Sequence, residues 1–562
     1  MRTLALPPLN QGSSIIVLTC AWEKRQASTP REGIARKPIL ALNDTEQLPG
    51  SSALRLWPFG VRYRPMVNLS AFIAYHARVT PDRLALVYGD QRISYGAFAD
   101  RIGKVAALLV KEGIGPGDVV AVFMKNSAAF LEIAFAVSHV GGVFLPINFR
   151  LAAEEARHIM ENAGGKLLFA DVEFTGVTAS FGHVIVLDAL AQHDSRHLVP
   201  QRLTAPPMAP RKPEDLFRLM YTSGTTDRPK GVMHSYDNFY WKCMDHVTAL
   251  GLTAADRLLM FGPLYHVGAF DLPGVAVLWL GGQVCIQRDF DPAAALALIE
   301  RERITGTWSA PVMMNQVLMA AEKELYDVAS LKWWIGGGEK TPESRIRDFT
   351  NAFPSARYVD AYGLTESCSG DTFMEPGREI EKIGSVGRST PHVEVAICDD
   401  DGRKLPAHSE GEICLRGPKV TKGYWRDPEK TEASFFGEWF RTGDVGYVDT
   451  EGFLFITDRK KDMIISGGEN IASSEVERVI YQLPEVSEVA VIGVPDPRWG
   501  ERPIAIVVLR EECTLEFETL EDHCKALLAK FKVPRELHLR DALPRNPSGK
   551  ILKRELRKSF LV

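Results

Sequence analysis

From Ser94 the chain alternates between amphipathic and wholly apolar segments. A helical pattern runs through Leu109, Val119-Val-Ala-Val-Phe123 is apolar throughout, a second helical pattern runs through Val140, and Val143-Phe-Leu-Pro-Ile147 is again apolar. Short apolar runs set between helices are strands buried on both faces, which predicts a mostly parallel sheet. The rhythm returns at 166–170, 183–187, 257–261 and 283–286. An α/β fold of layered sheets is therefore expected, with ligand-handling loops where strands end. The Gly/Pro-punctuated stretch around 275–280 reads as buried core.

Beyond Glu394 the apolar runs shorten, with turns at Asp401-Gly402 and Glu410-Gly411, and a small antiparallel β subdomain is predicted. The charge run Asp458-Arg-Lys-Lys-Asp462 then separates Phe453-Leu-Phe-Ile456 from Met463-Ile-Ile465, and by itself it reads as a solvated connector. After it, a helix over 475–483, strands over 489–493 and 504–509 and a helix through Lys530 predict a small α+β domain. Residues 1–65 are basic, rich in Pro, Ser and Arg, and without sustained period, so little fold is expected there. A start codon placed upstream of the natural one and a genuine extension both account for that segment. The run from Ser14 to Cys20 lacks the basic flank of a secretory signal. The expected organisation is an extension over 1–65, a large domain over 66–457, a connector over 458–462 and a small domain over 463–562.

With 562 residues and 45% hydrophobic content the chain buries more than one core. A net charge of −5 and a pI near 6.3 provide no general attraction to nucleic acid or anionic membrane, so any polyanion needs a local site. Eight cysteines without CxxC spacing argue against a disulfide framework and a zinc site, and point to a cytoplasmic setting. No apolar run approaches the ~20 residues that span a bilayer, so any membrane contact is peripheral.

The segment Tyr221-Thr-Ser-Gly-Thr-Thr-Asp-Arg-Pro-Lys230-Gly231 has the makings of a phosphate site. Thr222, Ser223, Thr225 and Thr226 offer hydroxyls, Gly224 and Gly231 let backbone N–H groups approach an anion, and Lys230 adds a point charge. It is not a Walker loop, since the lysine precedes the second glycine and Val232 follows. Standing alone it would read as a surface turn. It is followed in order by Tyr362-Gly-Leu-Thr-Glu366, Arg441-Thr-Gly-Asp444 and Pro544-Arg-Asn-Pro-Ser-Gly-Lys550.

On this ordered set, from about Met66 to the end, the chain resembles the adenylate-forming superfamily of acyl-CoA synthetases, luciferases and peptide-synthetase adenylation domains. Thr365-Glu-Ser-Cys368 and Ile464-Ile-Ser-Gly-Gly-Glu-Asn470 are most similar to bacterial fatty acyl-CoA synthetases and to aryl or phenylpropanoid-CoA ligases. The resemblance implies a mobile C-terminal domain hinged at Lys461. It implies an ATP- and Mg2+-dependent reaction in which a carboxylate attacks the α-phosphate, pyrophosphate leaves, and coenzyme A displaces AMP. A carboxylate needs such a leaving group before a thiol can displace it, and both steps place charge on oxygens, so preplaced cations and donors carry the catalysis.

The resemblance also implies roles residue by residue. Thr222, Ser223, Gly224, Thr225, Thr226 and Lys230 would grip the β- and γ-phosphates, and Tyr362 would stack on adenine with Gly338 and Glu339 close by. Thr365 would sit at the α-phosphate and Glu366 would hold Mg2+. Asp444 would accept both ribose hydroxyls, as a carboxylate suits a diol, with Arg459 a second contact. Lys550 would bridge carboxylate and α-phosphate in the adenylation step. His266, in Pro263-Leu-Tyr-His266, would line the acyl channel with Gly337 and Gly363, positioning substrate without moving a proton. Gly467 and Gly468 would reach the pantetheine tunnel, and Trp499 and Phe531 would touch the coenzyme A nucleotide.

One departure stands out: Asp227 occupies a position where the family usually has glycine, and its charge is expected to weaken ATP binding unless it faces solvent. The acid is expected to be a medium- or long-chain fatty acid, with a feruloyl- or coumaroyl-type acid as the alternative. Trp241, Met244, Met313, Met314 and Trp334 are expected to set pocket depth. A stand-alone amino-acid-adenylating enzyme, luciferase-type oxidation and a non-catalytic nucleotide-binding protein are the rival readings. A monomer or homodimer is expected.

Overall fold

The computed structural model describes residues 67–178, 181–188, 204–222, 229–320, 325–338, 341–460, 462–466, 469–545 and 551–560. Two large sheets dominate the first part. In the six-stranded sheet the order is Val184–Leu187, Gly165–Asp171, Val119–Phe123, Val143–Pro146, Leu216–Thr222, Lys230–Ser235. It is parallel except for the last, antiparallel pair. The nine-stranded sheet has a parallel centre, from Leu84–Tyr88 through Gln283–Ile286, Arg257–Met260, Gly306–Ser309 and Trp333–Gly336 to Arg357–Tyr362, with antiparallel edges. The apolar runs therefore become central strands, as their lack of alternation requires.

The helices between them are placed by local chemistry. Ser94 caps Tyr95–Lys111 by accepting from the N–H of Ala97, and Ser127 caps Ala128–His139 by accepting from that of Phe130. The latter helix is buried from Ala128 to Ser138, the state of a helix that is apolar all round. It belongs to one core with Val120, Phe144 and Phe217 of the smaller sheet and Leu86, Leu258, Ile335 and Val359 of the larger. Both sheets thus close on shared helices, and Asn126 links them further: its side-chain N–H groups donate to the carbonyls of Gly262 and Gln287.

The expected β subdomain is a five-stranded antiparallel sheet built from Glu394–Cys398, Gly411–Arg416, Phe435–Phe436, Trp439–Val448 and Leu454–Arg459. The charge run differs from a solvated connector at its start. Asp458 and Arg459 complete the last of these strands, and Asp458 is buried, accepting from the N–H and hydroxyl of Ser473 at 2.5 and 2.6 Å. Beyond it, helix Ser473–Ile480 and the hairpin of Val486–Asp496 with Gly500–Leu509 form an α+β unit with a separate core. These strands outrun the apolar stretches that predicted them, because antiparallel pairing carries the ladder into the polar turn at 496–500. Among the described residues no helix is long and apolar enough to cross a membrane.

Candidate active site

The hydroxyl- and glycine-rich segment joins two antiparallel strands, with Thr222 opposite Lys230 at the pair next to it. Residues 223–228 lie outside the described residues, so Ser223, Gly224, Thr225, Thr226 and Asp227 receive no structural account. Lys230 is half-buried; burial, then Lys430, hold its ammonium below the ordinary lysine value, against the opposing pull of Asp427 and Glu366.

Tyr362 ends the strand Arg357–Tyr362, and Thr365 and Glu366 lie on the tight turn Thr365–Ser367 just beyond it. The segment 421–425 stitches this turn to the hairpin. The Thr421 N–H donates to the Glu366 carbonyl at 2.6 Å, the Thr421 hydroxyl donates to that of Met233 at 2.6 Å, and the Trp425 N–H donates to that of Gly231 at 2.7 Å. Tyr424 donates its phenol to Oε1 of Glu366 at 2.8 Å. Burial raises the Glu366 carboxyl above its ordinary value while the Tyr424 bond works against the rise.

Asp444 arrives from the β subdomain, opposite Arg459 in the strand register. The phenol of Tyr362 donates to its Oδ2 at 2.8 Å, and Arg459 Nε lies 3.4 Å from its Oδ1. Three residues assigned by resemblance to the nucleoside therefore converge from two sheets. Gly363 is enforced sterically, since a Cβ there would lie 2.4 Å from the Gly370 nitrogen, and Gly338 holds a left-handed φ of +96°. Glu339 lies outside the described residues.

His266 caps the short helix Val267–Asp271, its Nδ1 accepting from the Gly268 N–H at 3.1 Å. Burial lowers its imidazole to about 4, so near neutral pH the ring is uncharged with its proton on Nε2. The indole of Trp308 lies 6.2 Å from it, centroid to centroid, with 17° between the planes. Trp308 lies against Gly262 and Gly268; a Cβ on Gly268 would fall 2.2 Å from the indole. At Gly337 a Cβ would stand 3.0 Å from the Ala361 carbonyl and 3.6 Å from Trp308 Nε1. His266, Trp308, Gly337 and Gly363 thus gather at the carboxyl ends of four adjacent parallel strands, the usual position of a ligand site in such a sheet.

Helix Val267–Asp271 ends on a buried ion cluster that sequence reasoning missed. Arg218 Nη2 donates to Asp271 Oδ2 at 2.6 Å, Lys242 Nζ lies 3.3 Å from Oδ1, and Arg218 Nε donates to Nδ1 of His234 at 3.1 Å. His234 in turn donates from Nε2 to the Thr365 carbonyl at 2.6 Å. Burial, then Arg218, lower His234 to about 3, so it is neutral and one carboxylate serves two cations. Burial opposes the ionised form of Asp271, but Arg218 and Lys242 outweigh it and hold the carboxyl below the ordinary value. The missed signal was the charged Arg218 within the apolar run before the phosphate loop. Tyr424 and Trp308 carried no such signal.

The residues expected to set pocket depth scatter. Trp334 and Met314 pack in the core on the other face of the larger sheet, where Trp334 donates to Ser309 Oγ. Alternation along the strand sends Trp334 away from its neighbours Trp333 and Ile335. Met313 packs half-buried against that same core. Met244 is exposed, and the Trp241 ring lies 4.6 Å from that of His392, centroid to centroid, with 53° between the planes. In the small domain Phe531 packs against the core, while Trp499 stands exposed on the hairpin turn beneath the Arg498 guanidinium. Lys461, Gly467, Gly468 and Lys550 lie outside the described residues.

Comparison with known proteins agrees with this geometry. Residues 73–425 match the AMP-binding enzyme family and 475–550 match the AMP-binding enzyme C-terminal domain. The chain is 36% identical to a feruloyl-CoA synthase of Amycolatopsis sp and 36% identical to the long-chain-fatty-acid–CoA ligase FadD13 of Mycobacterium tuberculosis, each over 88% of this chain and 99% of the relative. Its fold matches the o-succinylbenzoate CoA synthetase of Bacillus subtilis in complex with its acyl-adenylate, with a TM-score of 0.78 at 31% identity over 86% of this chain and 97% of that one. An anthranilate CoA ligase in complex with anthranoyl-AMP matches with a TM-score of 0.82 at 26% identity, over 88% and 97% respectively. Fold, hairpin, Tyr362–Asp444 junction and matched relatives lead to one conclusion: the protein belongs to the AMP-binding enzyme family, as one of its ATP-dependent, AMP-forming acid–CoA ligases.

Proposed function

We propose that the acid joined to coenzyme A is compact and aromatic, of the benzoate or cinnamate type. The observation that carries this reading is the pair of near-parallel aromatic planes of His266 and Trp308, with Gly337 beside the indole nitrogen. Flat rings suit flat walls. Kinship with FadD13 favours the second reading, a medium- or long-chain fatty acid.

In this reading Lys230 and the hairpin hold the triphosphate, Tyr362 and Asp444 hold adenosine, and neutral His266 orients the acid. Glu366 is the carboxylate that suits Mg2+ brought by the nucleotide. A hard divalent cation takes oxygen ligands and needs few from the protein when phosphates complete its shell. The ion would keep Glu366 ionised against the burial that raises its pKa. Lys550, from the C-terminal domain, supplies charge to the adenylation step.

The test is pyrophosphate release and thioester formation with ATP and Mg2+, with and without coenzyme A, across benzoic, cinnamic, amino and C8 to C16 fatty acids. Aromatic acids are expected to show the highest kcat/KM. Fatty acids turning over as efficiently would sink the compact-acid assignment, and no pyrophosphate from any acid would sink the acid-activating reading itself.

A further inference from the structure

Trp308 ends in a polar group that has no partner among the described residues. The side chain is 7% exposed, and among the described residues its indole N–H finds no acceptor. Trp334, one strand over, shows the ordinary arrangement, donating its N–H to Ser309 Oγ at 2.9 Å. A buried N–H left without an acceptor is costly, and native proteins rarely leave one so. The Trp308 ring cannot turn away to find a partner, because it is pinned against Gly262 and Gly268: Cβ atoms there would fall 2.7 and 2.2 Å from it.

Gly337 lies beside the N–H: a Cβ there would stand 3.6 Å from Nε1 and 3.0 Å from the Ala361 carbonyl, and glycine leaves that position unfilled. Gly337 and His266 are residues that the family resemblance assigns to the acyl channel. In the proposed reading, the unfilled position beside Nε1 therefore adjoins the place of the acid.

We infer that Trp308 is a specificity-determining donor, whose N–H binds an oxygen carried by the acyl part of the substrate: a hydroxyl, methoxy or keto group beyond the reacting carboxylate. This rests on the acid–CoA ligase reading and narrows it to oxygen-substituted acids. A site holding a buried donor discriminates against the analogue without the acceptor, because the donor is then left unpaired in the complex.

The experiment compares matched pairs of acids with wild-type enzyme and two variants. The pairs are cinnamic acid with its 2-, 3- and 4-hydroxy and methoxy derivatives, and benzoic acid with the same series. One variant is Trp308→Phe. The other carries benzothienylalanine at 308, which keeps the shape of the indole and replaces the N–H by sulfur. Wild-type enzyme is expected to favour at least one oxygen-bearing acid over its parent by about tenfold in kcat/KM, and both variants to lose that preference, lowering kcat/KM for the oxygen-bearing acid by about tenfold more than for its parent. The parent acid controls for folding and for loss of the aromatic plane. Equal loss on parent and derivative, or a preference that survives in the benzothienylalanine enzyme, overturns the inference and leaves the ligase reading standing. Failure of every acid in the panel to release pyrophosphate would instead remove that reading and the inference with it.

Discussion

At the scale of single residues, the site is set by which polar atoms meet in a dry place. Glu366 is the clearest case. Burial favours its neutral form, the Tyr424 phenol at 2.8 Å favours the ionised one, and only the ionised one suits a cation. The acid limb of the kcat/KM profile for ATP is therefore expected above the ordinary glutamate range, since that parameter reports the free enzyme. Tyr424→Phe removes a bond to the charged form, so the limb should move further up in pH. Glu366→Gln should erase the limb and lower kcat/KM by about 100- to 1000-fold. A limb unmoved in Tyr424→Phe would show that another group controls it. Of these partners the sequence showed Glu366, because its motif is local; Tyr424 stands 58 positions away and only folding brings it over.

At the scale of elements, the hairpin of Leu216–Thr222 with Lys230–Ser235 and the helix Val267–Asp271 share an apolar core through Phe217 and Phe270 and are joined across it by ions. Arg218, Lys242 and Asp271 are all fully buried, and Asp271 is the carboxylate that both cations face. Removing the anion leaves two uncompensated buried charges, so Asp271→Asn should destabilise the protein by about 3–5 kcal/mol in urea unfolding. Replacing Arg218, Lys242 and Asp271 together by Met, Met and Leu should cost less. A single substitution no worse than the triple would contradict this account. The strands themselves were legible, since unbroken apolar runs between helices have one common solution. The pairing of Arg218 with Asp271 was not, because the two lie on different elements and neither position alone shows its partner.

For the whole molecule, the design puts the phosphate hairpin, the Tyr362 strand and the Asp444 sheet at one edge, then ties the small domain on through the buried Asp458 and Ser473. If that domain brings Lys550 to the reacting carboxylate, Lys550→Ala should lower pyrophosphate formation by about 100- to 1000-fold while sparing thioester formation from supplied acyl-adenylate. Equal losses in both half-reactions would argue against a domain that acts in only one of them. The sequence by itself determined the α/β layering, the order of the ligand loops and the phosphate chemistry, since periodicity and motif spacing are properties of short stretches. Tertiary structure alone decided that Trp334 turns into the core, that the Trp308 N–H lies near Gly337 with no acceptor among the described residues, and that one aspartate serves two buried cations. Those outcomes depend on which distant surfaces pack together, and burial, which sets the strength of every charge and hydrogen bond in the site, exists only once they do.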